Sequence, residues 1–161
     1  MKLCSIDSST NATGMCLAID GSYSSHIFID HHVIKDVDER MNIMIYDIIS
    51  QLQKWKPDIV WIEQPQGHGR NVAMVRKLAE ILGAVRCWCV AKNKEYYEIM
   101  PSEWRKYLPD YSQGGKSRNE LKTDAINYVK NKLNIECSSD EADAICICIA
   151  VMEYYKTISE D

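Results

Sequence analysis

The sequence lacks any long hydrophobic run, and it lacks the cysteine spacing typical of a disulfide or zinc framework. No apolar stretch approaches the roughly 18 residues of a membrane span, and the first residues, MKLCSIDSST, turn polar too early for an export signal. Seven cysteines is an odd number. The pairs Cys87/Cys89 and Cys146/Cys148 are spaced C-x-C inside apolar runs, where cysteine acts as a small hydrophobic residue. We therefore expect free thiols, no membrane anchor and a cytoplasmic location.

The chain also lacks internal repeats, low-complexity tracts and an interdomain linker, which predicts a single domain over residues 1–161. With 161 residues, 46% of them hydrophobic, it has enough apolar surface for a sizeable core. The net charge of -4 argues against a uniformly basic surface. Residues 86–132, however, contain ten Lys or Arg against six Asp or Glu. We expect any nucleic-acid-binding face to be local and to come from this half of the chain.

The hydrophobic pattern predicts three strands followed by alternating helices and strands. The three strands are expected near residues 2–7, 14–20 and 26–34, in the order of an antiparallel meander. Two more strands are expected near 58–63 and 95–100. Helices are expected near 38–55, 72–89, 102–108, 118–133 and 139–156, the last capped by Ser138 or Ser139. This order predicts an α/β fold in which helices flank a mixed sheet.

Four acidic side chains lie at the ends of these predicted elements. Asp7 and Glu63 each end an apolar strand-like run, and Asp140 and Asp143 open the last helix. Residues three apart on a helix project from one face, whereas Glu141, between them, faces away. Clustered carboxylates repel one another unless a cation compensates for their charge. The pattern favours a metal site, and its all-oxygen ligands favour Mg²⁺ or Mn²⁺ over zinc.

Each of the four acids also has a structural explanation. Asp7 is equally well explained as an Asx-turn residue. Asp140 and Asp143 can simply interact with the positive end of the helix dipole. Glu63 is harder to explain, because a carboxylate at the tip of a central strand must be solvated, paired or metal-bound. If the four converge, two ions roughly 3.5–4 Å apart can activate a water and stabilise the departing oxygen in displacement at phosphorus.

Five segments, taken in their order along the chain, resemble the RuvC-type Holliday junction resolvases of the ribonuclease H-like superfamily. They are SIDSSTNATG at 5–14, KPDIVWIEQ at 56–64, NVAMVRKLAEILGAV at 71–85, GGKSRNELK at 114–122 and DEADAICICIA at 140–150. The resemblance implies a ribonuclease H-like fold, with a five-stranded mixed sheet in which an antiparallel meander is followed by parallel strands. It also implies a crossover junction endodeoxyribonuclease that cuts Holliday junctions or related branched DNA and leaves 5′-phosphate and 3′-hydroxyl ends.

The same resemblance assigns roles to individual residues. The residues that correspond to the family's catalytic, metal-binding acids are Asp7, Glu63, Asp140 and Asp143. They imply two Mg²⁺ ions per active site, with Mn²⁺ able to substitute. Basic residues that match the family's phosphate-contacting loop and helix start are Lys116, Arg118 and Lys122. Arg70, near the start of the second predicted helix, is a further candidate for a DNA contact, and simple solvation of that helix explains it equally well.

Two departures from the family pattern concern how the substrate is handled. Ser8-Ser9 replaces the usual Pro-Gly after the first aspartate, and Gln66 replaces an aromatic residue that is associated with opening the junction centre. Short, divergent members of this kind resemble phage or mobile-element enzymes. Because a four-way junction has two symmetry-related strands, we expect a homodimer with one site per subunit. The expected partner is branched DNA, which includes four-way junctions and extends to forks and flaps.

The alternative is a noncatalytic ribonuclease H-like module that binds nucleic acid or protein. Gly115-Lys116-Ser117 imitates the end of a nucleotide-binding loop, but the earlier glycine would fall at Asp110, so no nucleotide cofactor is expected. The aromatic residues Trp104 and Tyr107 lie among cations, where they could stack on unpaired bases. Packing of their short helix onto the core is the preferred interpretation.

Overall fold

The protein forms a five-stranded sheet with helices on both faces, in a computed structural model that describes residues 1–65, 72–109, 111 and 114–159. The strands are β1 (Lys2–Ser8), β2 (Ala12–Ile19), β3 (Ser22–Asp30), β4 (Ile59–Glu63) and β5 (Glu95–Ile99). The helices are α1 (Val37–Trp55), α2 (Val72–Ala91), α3 (Pro101–Trp104), which continues into a 3₁₀ turn (Arg105–Tyr107), α4 (Arg118–Leu133) and α5 (Ser139–Ser159). Within these ranges, no helix has both the length and the apolar character that a membrane crossing requires.

The strands are arranged in the order β3-β2-β1-β4-β5. The first three pair antiparallel, β4 pairs parallel to β1, and β5 pairs parallel to β4. Helix α2 makes the crossover between the parallel strands β4 and β5, as a parallel pair requires. The predicted mixed sheet, an antiparallel meander followed by parallel strands, is confirmed.

The prediction was wrong about where the second and third strands begin. β2 starts at Ala12 rather than residue 14, and β3 covers Ser22–Asp30 rather than 26–34. The early start of β3 comes from a two-residue turn at Asp20-Gly21, where both residues have positive φ, 50° and 75°. Asp-Gly between apolar runs is a strong signal for a tight hairpin. The pairing of the two strands shifts register once, between Leu17 and Ala18.

The core has two layers, one on each face of the sheet, because successive strand residues point to opposite faces. In β1, Cys4 and Ile6 pack with α1 and α2, whereas Leu3 packs with α5. The Ser5 hydroxyl also points to the α5 face, where it donates a hydrogen bond of 2.6 Å to the carbonyl oxygen of Ala144. All seven cysteines are free thiols, and five of them are buried in these layers.

Helix α5 lies unusually close to the sheet, and one glycine makes this possible. Residues 142–151 of α5 are buried, and small side chains recur among them, at Ala142, Ala144 and Ala150. Gly14 in β2 pairs with Asp7 in β1. A Cβ atom on Gly14 would lie 2.1 Å from the carbonyl oxygen of Asp140. The first turn of α5 therefore rests on the backbone of β2, directly beside Asp7.

We predict that Gly14→Ala displaces the first turn of α5, because the added methyl group overlaps a backbone carbonyl that cannot move independently. The expected loss is about 1–3 kcal/mol in the free energy of unfolding, measured by urea denaturation. Gly114→Ala is the control, since a Cβ atom there meets nothing within 4 Å. Equal stabilities for the two variants would contradict the close contact.

Candidate active site

Asp7 and Glu63 lie side by side on the face of the sheet that α5 covers. The parallel register pairs Ile6 with Ile62, so the next residues of the two strands, Asp7 and Glu63, are neighbours. Ile6 and Ile62 both pack in the layer formed with α1 and α2. Because side chains alternate along a strand, the two acids point to the opposite face. Trp61, two residues before Glu63 in β4, packs against the α5 layer, and Glu63 therefore lies on the same face as Trp61.

The hydrogen bonds of the turn that follows Asp7 are made by residues other than Asp7. Ser9 accepts hydrogen bonds from the backbone N–H groups of Asn11 and Ala12, and its own N–H donates to the carbonyl of Ala12 at 2.8 Å. Arg40, which is 8% exposed, donates from Nε to the carbonyl of Thr10 at 2.7 Å. Within the described residues, Asp7 makes no hydrogen bond to this turn, so the structure gives no support to its interpretation as an Asx-turn residue.

Asp140 and Asp143 lie in the first turns of α5, which the close contact with β2 brings to the strand ends. Asp143 is 9% exposed, and its Oδ1 is buried without a hydrogen-bond partner among the described residues. Asp140 accepts from the Ser139 hydroxyl at 3.2 Å and lies 3.5 Å from the Lys122 ammonium group. Asp140 is thus paired with a cation, whereas one oxygen of Asp143 has no hydrogen-bond donor in the described structure.

Glu141 caps the N-terminal end of α5. The Ser138 N–H donates to Glu141 Oε2 at 2.8 Å, and the Glu141 N–H donates to the Ser138 hydroxyl at 3.3 Å. This reciprocal pair is a capping box, which identifies Ser138 as the N-cap of α5. Glu141 also lies 3.4 Å from His26 Nε2. Its predicted separation from the four acids agrees with these contacts.

The acids shift one another's protonation. Burial raises the pKa of Asp7 well above its usual range, and the charges of Glu63, Asp143 and Asp140 raise it further. Burial raises the pKa of Glu63 to about 7, against the hydrogen bond from Trp104, which lowers it. Burial also raises the pKa of Asp143 to about 6, against the opposing charge of Arg105. The raised pKa values mean that ionising these acids together costs free energy, and a bound cation would repay this cost, which is a physical reason for the ionised site to attract one.

Two residues near the acids were missed by the sequence analysis. Trp104 is fully buried, as its packing interpretation requires, but its indole N–H also donates to Glu63 Oε2 at 2.7 Å. The Arg105 guanidinium lies 4.4 Å from the centre of the Trp104 ring, and its charge lowers the pKa of both Glu63 and Asp143. Their only signal in the sequence was a tryptophan followed by arginine after the fifth strand.

The predicted DNA-contacting residues have different surroundings. Lys122, in α4, lies beside Asp140 and Ser139, and its charge lowers the pKa of Asp7 and Asp143. Arg118, exposed at the start of α4, acts on Asp143 in the same direction. Lys116 is instead paired with Asp124, at 2.6 Å. Arg70 and Gln66 lie outside the described residues, and their roles stay predictions.

The four acids suit a divalent cation in their chemistry, although their side chains do not form a ready-made cage. In the described part of the chain, no three His, Cys, Asp or Glu side chains are placed to hold a metal ion. The buried, partnerless Asp143 oxygen and the mutual repulsion of the carboxylates both favour binding of a hard cation through oxygen. The assignment of two ions to Asp7, Glu63, Asp140 and Asp143 stays a prediction.

Comparisons with known proteins point to one group of nucleases. No family model matches the chain. It is 23% identical over 117 residues to the crossover junction endodeoxyribonuclease RuvC of Thermomicrobium roseum, which covers 72% of this chain and 69% of that protein. Thermus thermophilus RuvC, solved in complex with a Holliday junction substrate, superposes with a TM-score of 0.72 and 18% identity, covering 98% of this chain and 96% of the other. The chain has the RuvC fold.

A viral resolvase has the same fold. The Fowlpox virus resolvase, solved with substrate Holliday junction DNA, superposes on this chain with a TM-score of 0.67 and 13% identity, covering 96% of this chain and 99% of the other. The predicted ribonuclease H-like fold and the resemblance to RuvC-type resolvases are therefore confirmed. The predicted phage or mobile-element origin stays a prediction.

We predict that, without divalent cations, stability falls as the pH rises through the site's pKa values. The folded protein binds protons more tightly at these acids than the unfolded chain does, so their contribution is complete below about pH 4. It is lost as the pH passes about 6 and about 7, the pKa values of Asp143 and Glu63. In EDTA, Asp7→Asn should therefore melt at a higher temperature than the unmodified protein at pH 8, and should gain little at pH 4.5.

The control for this measurement is Asp124→Asn, which removes an acid paired with Lys116 outside the cluster. It should show no gain at pH 8. Addition of Mg²⁺ should narrow the difference between Asp7→Asn and the unmodified protein. Identical melting curves for Asp7→Asn and the unmodified protein across this pH range would contradict the charge repulsion.

Proposed function

We propose that this protein is a divalent-metal-dependent endonuclease that cuts four-way junctions or closely related branched DNA. The observation that carries the proposal is the convergence of Asp7, Glu63, Asp140 and Asp143, from β1, β4 and α5, at one edge of the sheet in a RuvC fold. Support also comes from the printed descriptions of the similar proteins, two of which were solved with Holliday junction DNA.

The four acids would hold two Mg²⁺ ions, with Mn²⁺ able to substitute. When bound, the ions would supply activation of a water molecule and stabilisation of the departing oxygen. The resemblance to RuvC-type resolvases implies 5′-phosphate and 3′-hydroxyl ends. The protein itself contacts Glu63 through the Trp104 N–H, and Asp143 Oδ1 has no donor among the described residues. The cluster is partly buried, which strengthens its electrostatic interactions with a bound charge.

Cations on two elements surround the acids and suit a phosphate backbone. Arg105 comes from the turn after α3, and Arg118 and Lys122 come from the first turns of α4. All three act electrostatically on Asp143. Lys116 is the weaker candidate, since it would have to leave Asp124 to contact a phosphate. Phosphate contacts of this kind position the strand, and binding should weaken as the salt concentration rises.

The test is cleavage of a labelled four-way junction, a fork, a flap and a linear duplex, with Mg²⁺ or with EDTA. We expect nicks in branched DNA only when the divalent ion is present. Asp7→Asn and Glu63→Gln should each slow cleavage by about two orders of magnitude or more, because metal ions contribute several kcal/mol to such reactions. Binding of the junction in EDTA should persist.

The matched control is Glu141→Gln, which removes a charge between Asp140 and Asp143 while glutamine still completes the capping box. Its cleavage rate should stay close to that of the unmodified protein. Junction binding without any divalent-dependent cleavage would instead favour the noncatalytic module.

We further propose that the protein forms a homodimer through the outer face of α2. This face carries two exposed apolar side chains, Val72 and Val90, which are 59% and 73% exposed. Small residues, Ala79 and Gly83, lie between them, and a Cβ atom on Gly83 meets nothing within 4 Å. A two-fold contact here would cover the apolar side chains and let two helices approach closely.

Gly83→Glu tests this interface. Glutamate favours a helix more than glycine does, so the folded monomer should not be weakened, yet the two-fold axis would bring two carboxylates together. We expect a shift from dimer to monomer in analytical ultracentrifugation and a loss of paired, symmetric nicks in junctions. Gly83→Ala, the control, should remain dimeric. A dimeric Gly83→Glu variant would contradict the assignment of this face.

A further inference from the structure

Trp104 combines full burial with a polar contact to the candidate site. It ends the single-turn helix α3, which starts at Pro101, and its side chain is 0% exposed within the layer beneath α5. Its indole N–H donates to Glu63 Oε2 at 2.7 Å, across 41 positions of sequence. Because Trp104 is wedged in the core, the position of its N–H is set by packing, and the Glu63 oxygen that it contacts is held in place.

A second buried tryptophan offers a comparison. Trp88 Nε1, in α2, is buried without a hydrogen-bond acceptor among the described residues. A buried indole usually finds an acceptor, and leaving it without one costs free energy. The buried indole of Trp104 has its acceptor in Glu63, one of the four acids.

Arg105 provides a second contact that holds the Trp104 ring in place. Its guanidinium lies 4.4 Å from the Trp104 ring centre, which is within the range of a cation–π contact. The ring is thus held between the apolar core and a cation. Glu63 ends β4 and is itself only partly exposed. With Oε2 tied to the indole, the carboxylate cannot rotate freely, and Oε1 is left for another partner.

We propose that Trp104 is a positioning residue, which fixes one oxygen of Glu63 so that the other is presented to a divalent cation. Carboxylates that bind metals are commonly oriented by a second hydrogen-bonding group, and loss of such a group typically weakens metal binding by 10- to 100-fold. This inference rests on the proposed metal-dependent function. It goes beyond that function by assigning a role to a core residue outside the four acids.

The test compares Trp104→Phe with Trp88→Phe. Both changes replace a buried indole by a smaller ring, but only the first removes a hydrogen bond to an acid, since Trp88 Nε1 has no partner in the part of the chain that the structure describes. Mg²⁺ is titrated while the unfolding temperature is recorded, because a ligand that binds only the folded state raises this temperature, and the rise grows with the logarithm of the ligand concentration divided by its dissociation constant. Calorimetric titration, at a temperature where each variant is folded, gives the affinity independently of stability.

We expect Trp104→Phe to need at least roughly tenfold more Mg²⁺ than the unmodified protein for the same effect, and Trp88→Phe to titrate like the unmodified protein. Equal Mg²⁺ affinity of Trp104→Phe and the unmodified protein would overturn the positioning role, even if both variants lose stability. Equal weakening in both variants would also overturn it, because the loss would then come from packing. If the unmodified protein itself shows no response to Mg²⁺, the proposed metal-dependent function fails, and the inference fails with it.

Discussion

The contact between the first turn of α5 and the backbone of β2 is the constraint on which the site depends. Gly14 leaves room for the carbonyl of Asp140, and no larger residue fits there without movement of the helix. Because Gly14 is paired with Asp7, this contact brings Asp140 and Asp143 to the end of the strand that carries Asp7. The sheet adds Glu63 through the parallel register of β1 and β4. Backbone packing therefore determines how close the four acids come.

The clustering of the four acids lowers the stability of the fold that brings them together. Like charges are crowded into a partly buried space, and the raised pKa values of Asp7, Glu63 and Asp143 record the free energy that ionisation costs there. The rest of α5 provides the compensation. Residues 142–151 are buried in an apolar layer, and the Ser5 hydroxyl bonds to the helix backbone within it. The helix is held in place by its later turns, so that its first turn can carry unfavourable charge.

Much of the fold could be predicted from the sequence, because it follows from periodicity and from the order of the elements. The alternating strands, the helices ended by Pro57 and begun by Ser117 or Ser138, and the acids at strand ends are all local signals. The start of β3 was misplaced because the Asp20-Gly21 turn was overlooked, which is an error of interpretation rather than a missing signal. The spacing of Asp140 and Asp143 also correctly separated Glu141 from the acids.

What the sequence could not predict depends on contacts between distant segments. Trp104 and Glu63 are 41 positions apart, and nothing local distinguishes this tryptophan from Trp88, whose N–H group lacks a partner in the described structure. Arg105 is one of several cations in a basic half of the chain, and only the fold places it against the acids. The acids can therefore be found from the sequence more easily than the residues that orient them. An acid at a strand tip is conspicuous because its burial is costly, whereas a tryptophan in a core is ordinary until the structure shows where its one polar atom points.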